Sequence, residues 1–164
     1  MHGNLDGMHA PGIRHVPTAL QVCHNVLLSH GLAVPVIRAN VPGAQVGIAL
    51  SLHPIVPASD SALDQRAVER HDAFRNRWFL DPLHGRGYPD EPLHFLGKDA
   101  PTVLAGDMEA IAALTDFLGV NYYFPEVVRD DPNGGFLRTS VILPEGRERT
   151  DFGWEVAPAG LTGL

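Results

Sequence analysis

The spacing of apolar positions predicts short regular elements set between loops. From Pro17 to about His30, the residues Ala19, Leu20, Val22, Cys23, Val26, Leu27 and Leu28 recur at helical spacing. Pro17 suits a first helical turn, whereas Thr18 lies too far inside to cap it. Gly31 reads as a C-cap or a small packing position, and Pro35 makes Leu32 to Ala39 hard to hold as one unbroken helix. Val46 to Leu52 (VGIALSL) is a short apolar run between Pro42-Gly43 and Pro54, the pattern of a strand buried on both faces in a parallel sheet. PIVPASDS reads as loop, and Ala62 to Phe79 as a charged amphipathic helix with Val68, Phe74 and Phe79 on its apolar side. DPLHGRGYPDEP is loop again. Asp107 is placed to cap a helix carrying Met108, Ile111, Ala112 and Leu114, and Phe117 to Tyr123 (FLGVNYY) is a second strand.

The order is therefore helix, strand, helix, helix, strand and an irregular tail, preceded by a Gly-rich loop from His2 to Arg14. Strands separated by helices imply a parallel α/β sheet with right-handed crossovers. Two strands are too few for a self-contained sheet, a first sign of a piece of something larger. In the tail, DDPNGG (Asp130 to Gly135) reads as a hairpin or loop turn and falls short of a calcium loop.

Composition narrows the functional classes. The chain has 164 residues, 45% of them hydrophobic, which fits one folded domain. Nineteen acidic against twelve basic residues argue against a nucleic-acid partner. No apolar run reaches the roughly 20 residues of a membrane span, so no membrane partner is expected. A single cysteine, Cys23, precludes an internal disulfide and points to a reducing, cytoplasmic setting.

Nine histidines raise the question of a metal, but HExxH, CxxC and a 2-His-1-carboxylate cluster are missing from the sequence. His2 and His9 sit in the Gly-rich loop, and His24 and His30 fall on different helix faces. They read as surface or helix-capping residues, with no metal and no cofactor expected. Cys23, among Leu20, Val22 and Val26, reads as a small core residue rather than a nucleophile. The nucleophile elbow, the P-loop and the dinucleotide fingerprint are also missing. In parallel α/β folds ligands meet the carboxyl ends of strands. Those ends are Ser51, His53 and Pro54, then Asn121, Tyr122 and Tyr123. Asn and Tyr can hydrogen-bond sugar hydroxyls, and strand alternation lets at most one of the two tyrosines point inward; the alternative is that Tyr122 or Tyr123 simply packs against the next helix.

Several phrases in order along the chain carry a resemblance. HAPG (His9 to Gly12), LLSHGLAV (Leu27 to Val34), VGIALSLHPIVPAS (Val46 to Ser59), NRWFLDPLHGRGYP (Asn76 to Pro89), DFLGVNYY (Asp116 to Tyr123) and TDFGWEVAPAGL (Thr150 to Leu161) together resemble glycoside hydrolase family 1. This is the β-glucosidase and 6-phospho-β-glucosidase family, and the likeness is to its bacterial β-glucosidase branch. The resemblance implies a (β/α)₈ TIM barrel, which needs about 250 residues. Residues 1–164 then form a single incomplete segment that starts after the fourth strand, carries strands five and six with flanking helices, and stops before the seventh.

The implied activity is that of a retaining β-glucosidase, which removes terminal β-D-glucosyl residues from a β-glucoside or oligosaccharide with two carboxyl groups about 5–5.5 Å apart. In the family the acid/base lies in an Asn-Glu-Pro motif and the nucleophile in a Glu-Asn-Gly motif. Neither motif occurs here, so no catalytic residue is assigned and the chain is expected to be inactive alone. Glu91-Pro92 follows Asp90 in a predicted loop and reads as surface charge; Glu126 and Glu155 lack the right neighbours. By resemblance, Asn121 and Tyr123 match the Asn-x-Tyr that ends strand six. Tyr123 would hydrogen-bond the nucleophile carboxylate and Asn121 would shape the adjacent polar network. Ser51 and His53 stand where members often carry asparagines. The alternatives are a half-barrel that self-associates through exposed strand edges or joins its missing halves, and a non-catalytic sugar-binding module using Tyr123, Asn121 and Trp78.

Overall fold

A computed structural model describes residues 2–164. The elements run α1 (Val16–Asn40), β1 (Gly47–Ser51), β2 (Ile55–Pro57), α2 (Ala62–Asp72), a π-helical turn (Ala73–Arg77), α3 (Trp78–Leu83), α4 (Asp90–Leu96), α5 (Asp107–Ile111), β3 (Phe117–Asn121), β4 (Glu126–Asp130) and β5 (Thr139–Ile142), with 3₁₀ turns at Gly97–Asp99 and Pro158–Gly163. The class is α/β. β1 pairs with β3, and β2, β4 and β5 form a second sheet in the order β2-β4-β5. The chain divides into two compact units, one of residues through Ile48 with 79–88 and 96–118, the other of 49–78, 89–95 and 119–164.

The first unit is organised by α1. Its buried positions, Ala19, Leu20, Cys23, His24, Leu27, Gly31 and Val34, form one stripe that packs against α5. The helix begins as the sequence suggests, with Pro17 in its first turn, but the cap is His15, whose ring accepts from the Thr18 backbone N–H. It does not end near His30: it continues through Pro35 to Asn40. Proline costs the bond to the Gly31 carbonyl, yet the last turns are held by Val41 N–H to the Ile37 carbonyl and by the Asn40 amide to the Val36 carbonyl. Gly31 is a packing position, since a Cβ there would lie 2.0 Å from the Ala110 carbonyl oxygen. At 25 residues, with an 18-residue window of mean hydropathy 1.4, α1 meets the length and composition of a membrane crossing. Its buried stripe is what a core helix presents. Asp107 is not the cap of α5; Gly106 holds that place, in the left-handed region, and Asp107 opens the helix.

The second unit holds more strand than the sequence pattern suggests. PIVPASDS contains β2, which pairs in parallel with β4 through Ile55, Val56 and Pro57 opposite Glu126, Val127 and Val128. The irregular tail contains β4 and β5, an antiparallel hairpin around the DDPNGG turn. These strands are three to five residues long, and the partner of β2 lies far along the chain, so alternation alone is too short a signal. The predicted helix from Ala62 to Phe79 is three consecutive helical pieces. Ser61 caps α2 through the Asp64 N–H, and Arg70 reaches Asp130 at 2.6 Å and the Leu137 carbonyl at 3.1 Å, seating α2 on the hairpin. Ala67, Ala73, Phe74 and Trp78 are buried. Asp90, Glu91 and Pro92, read as the end of a loop, open α4, with Glu91 exposed in its first turn. Nor is β1 buried on both faces: Ala49 and Ser51 are exposed, and among the described residues β1 has a strand neighbour on one side only.

Candidate functional site at the strand ends

The two strand ends named from the sequence lead into the second unit. β3 ends at Asn121, two residues earlier than the apolar pattern suggests, so strand alternation does not govern Tyr122 and Tyr123. Asn121 is exposed and its carbonyl accepts from the Leu52 N–H at 3.1 Å. The Tyr122 hydroxyl donates to the Ala157 carbonyl, and its ring lies over Gly160, where a Cβ would meet the hydroxyl at 2.2 Å. Tyr123 remains 50% exposed, its ring centroid 5.2 Å from that of Trp154. Phe124 contacts the same indole at 5.6 Å, and Phe152 stacks on it at 5.5 Å. A cavity of about 250 Å³ lies beneath, lined in part by Phe124, Val127, Leu143, Arg149, Trp154 and Glu155. Trp154 lay in plain view in the TDFGWEV phrase but carried no assigned role. Trp78, by contrast, is fully buried, which removes it as a sugar contact.

Beyond β1, His53 is 2% exposed rather than a surface histidine. Asn76 grips its backbone twice: the His53 N–H donates to Asn76 Oδ1 at 3.0 Å, and Asn76 Nδ2 donates to the His53 carbonyl at 2.8 Å. The ring lies between the Phe124 carbonyl, 3.1 Å from Nδ1, and Arg75 Nη2, 2.9 Å from Nε2, with Ser51 Oγ 3.3 Å from Nε2. Burial, then the Arg75 charge, push the His53 pKa below its ordinary value against the pull of Glu126.

Glu126, at the head of β4, is 8% exposed. Arg75 Nε donates to Oε1 at 3.0 Å, and His71 Nε2 lies 2.9 Å from Oε2, its other nitrogen 2.9 Å from Thr139 Oγ1. Burial alone would raise the carboxyl; the His71 hydrogen bond and the Arg75 charge outweigh it and hold Glu126 below the usual range. Both oxygens are thus engaged within the fold.

The first unit has its own buried histidine, again not on the surface. His24 Nδ1 lies 2.9 Å from the Tyr88 hydroxyl and Nε2 3.1 Å from Asp107 Oδ2. Burial pushes the Tyr88 hydroxyl well above its ordinary pKa. Asp107, which also accepts from the Leu104 N–H at 2.7 Å, is held below the usual carboxylate value, first by that bond and then by His24. Cys23 is buried as expected. Among the described residues no three His, Cys, Asp or Glu side chains gather as a metal site.

Comparison with known proteins supplies the context for these strand ends. The family model of Glycosyl hydrolase family 1 matches residues 1–164. Beta-glucosidase A of Acetivibrio thermocellus is 40% identical over 99% of this chain, which covers 37% of that protein. A Beta-glucosidase of Agrobacterium sp. is also 40% identical, with 95% of this chain and 35% of the relative covered. Virulence factor SghA from Agrobacterium tumefaciens, solved also with its substrate analog salicin, superposes with a TM-score of 0.92 at 39% identity, covering 98% of this chain and 36% of that one. The chain thus spans a little over a third of the length of these relatives, and its strands form a partial α/β barrel segment rather than a closed ring. Over its whole length, the chain belongs to glycosyl hydrolase family 1.

Proposed function

We propose that this chain is the segment of a retaining β-glucosidase that carries barrel strands five and six, here β1 and β3. The observation that supports it is Asn121-x-Tyr123 at the end of β3, with the Tyr123 ring left exposed. In the complete enzyme the Tyr123 hydroxyl donates to the nucleophile carboxylate. A phenol donor favours the ionised form and fixes its direction, which is what attack on the anomeric carbon requires. Asn121 shapes the polar network beside it. The sequence contains neither Asn-Glu-Pro nor Glu-Asn-Gly, so both carboxyl groups belong to parts of the barrel that these residues do not span, and the chain alone does not turn over. The salicin complex of SghA supports an aryl β-glucoside as substrate class.

Hydrolysis of 4-nitrophenyl β-D-glucoside by the purified chain, beside a full-length relative, tests this reading. No turnover by the chain is expected. Turnover abolished by Tyr123→Phe would overturn the reading, because a carboxylate within these residues would then be doing the nucleophile's work. A second reading, self-association, is favoured by the exposure of Phe117, Leu118 and Val120 along β3. Light scattering at two concentrations reads it directly, and a concentration-independent monomer mass would refute it.

A further inference from the structure

The His53 ring is held from two sides by groups that leave it one protonation state. The Phe124 carbonyl at Nδ1 can only accept, and the Arg75 guanidinium at Nε2 can only donate. The ring is therefore neutral, with its proton on Nδ1 and its lone pair on Nε2. Arg75 cannot turn away freely, because its Nε donates to Glu126, which His71 holds from the other side. The backbone of His53 is locked by Asn76, so two successive residues of the π-helical turn both act on this one histidine. Such turns occur within helices mostly as single-turn insertions, often at functional sites.

We propose that His53 is a positioning residue for Tyr123. Its Nδ1–H ties down the Phe124 carbonyl, the first one after Tyr123, and so sets the direction in which the chain leaves β3 and presents the Tyr123 hydroxyl. A second path reinforces the first: the His53 ring meets the Phe124 ring edge-on at 5.3 Å, and Phe124 and Tyr123 both pack against the Trp154 ring. What Tyr123 then does for a carboxylate rests on the function proposed above; its placement by His53 does not.

The groups facing the ring are Ser51 from the end of β1, Arg75 from the π-helical turn, Glu126 from β4 and His71 from α2. A proton added to Nε2 would point at the guanidinium, so acid breaks the Arg75 side of the clasp while Nδ1 still donates to Phe124.

The test is long-range ¹H–¹⁵N NMR of the full 164-residue chain labelled in histidine and the aromatic residues. At pH 7.5 His53 is expected as the Nδ1–H form, and on acidification it stays neutral below the ordinary histidine value of 6.5. The Tyr123 and Trp154 ring resonances move in the same titration. His53→Ala shifts those two rings at pH 7.5. His53→Asn, whose amide can both donate to Phe124 and accept from Arg75, restores them and abolishes the titration. An Nε2–H form overturns the proposal, as does a free-histidine titration, including that of an unfolded chain. So do Tyr123 and Trp154 signals unmoved in a folded His53→Ala variant, the result a merely structural histidine would give. Should the clasp stand while Tyr123→Phe leaves turnover intact in a complete family member, the functional reading fails and the positioning role survives.

Discussion

Two buried histidines, one in each unit, are 1% and 2% exposed and have both ring nitrogens engaged, yet their Nε2 atoms face groups of opposite kind. His24 faces the Asp107 carboxylate with Nε2, so that nitrogen carries a proton, while Nδ1 meets the Tyr88 hydroxyl, a group able to donate or accept. His53 faces a guanidinium with Nε2, so the proton sits on Nδ1 and is given to a backbone carbonyl. Burial is nearly equal, so burial does not decide what Nε2 does; the chemistry of the opposing group does. The outcomes differ as well. His24 joins α1, the Tyr88 segment and α5 within the interior of one unit. His53 passes its constraint outward, through Phe124, to an exposed tyrosine.

The sharpest way to break the comparison is at the carboxylate that supports the second site. Glu126→Leu leaves Arg75 and His71 without their shared partner. We expect a loss of about 3–5 kcal/mol in urea unfolding, the range for stripping one partner from a buried charge pair. A loss under about 1 kcal/mol would show that solvent already satisfies these cations. In the first unit, Tyr88→Phe removes the hydroxyl that meets His24 Nδ1 and is expected to cost about 1–3 kcal/mol, since a buried ring nitrogen is left unmet. An unchanged midpoint would mean that His24 finds another partner.

The pH dependence separates the sites further. The folded pKa of His53 lies below the unfolded 6.5, so between these values the unfolded chain binds more protons. Its contribution is fully present above pH 6.5 and is lost as the pH falls toward the folded value. Glu126 and Asp107, with folded values below 4.5 and 3.8, lose theirs at lower pH, as it falls below those unfolded values toward the folded ones. Urea midpoints at pH 7.5 and 5.5 should therefore differ in the wild type, and the part due to His53 should vanish in His53→Asn. An identical difference in that variant would remove His53 from the account. The smallest stability effect is expected at Tyr123→Phe, within about 0.5 kcal/mol, because its half-exposed side chain is tested by turnover in a complete enzyme and not by unfolding.

Particular residues show where local pattern is a sufficient guide. The stripe from Ala19 to Leu27, the burial of Cys23, the strands at Gly47–Ser51 and Phe117–Asn121 and the turn at DDPNGG all follow from spacing and backbone preference over a few residues. β2, α4 and the break of the long helix into a π-helical turn do not, because each is short and its stabilising partners come from elsewhere. Pro35 misleads for the same reason: its local cost is real, but contacts of Gly31 with residues near Ala110 keep the helix whole.

The family resemblance needed only ordered local phrases, so the sequence by itself determined the ancestry, the α/β class, the missing glutamate motifs and the Asn121–Tyr123 pair. Only the tertiary structure decided that Trp78 is buried and Trp154 is not, that Glu126 is paired, and that Nε2 faces a carboxylate in His24 but a guanidinium in His53. Those properties depend on groups 22 to 83 residues apart in the chain. No local spacing encodes which donor or acceptor will arrive at a ring nitrogen once the backbone has folded.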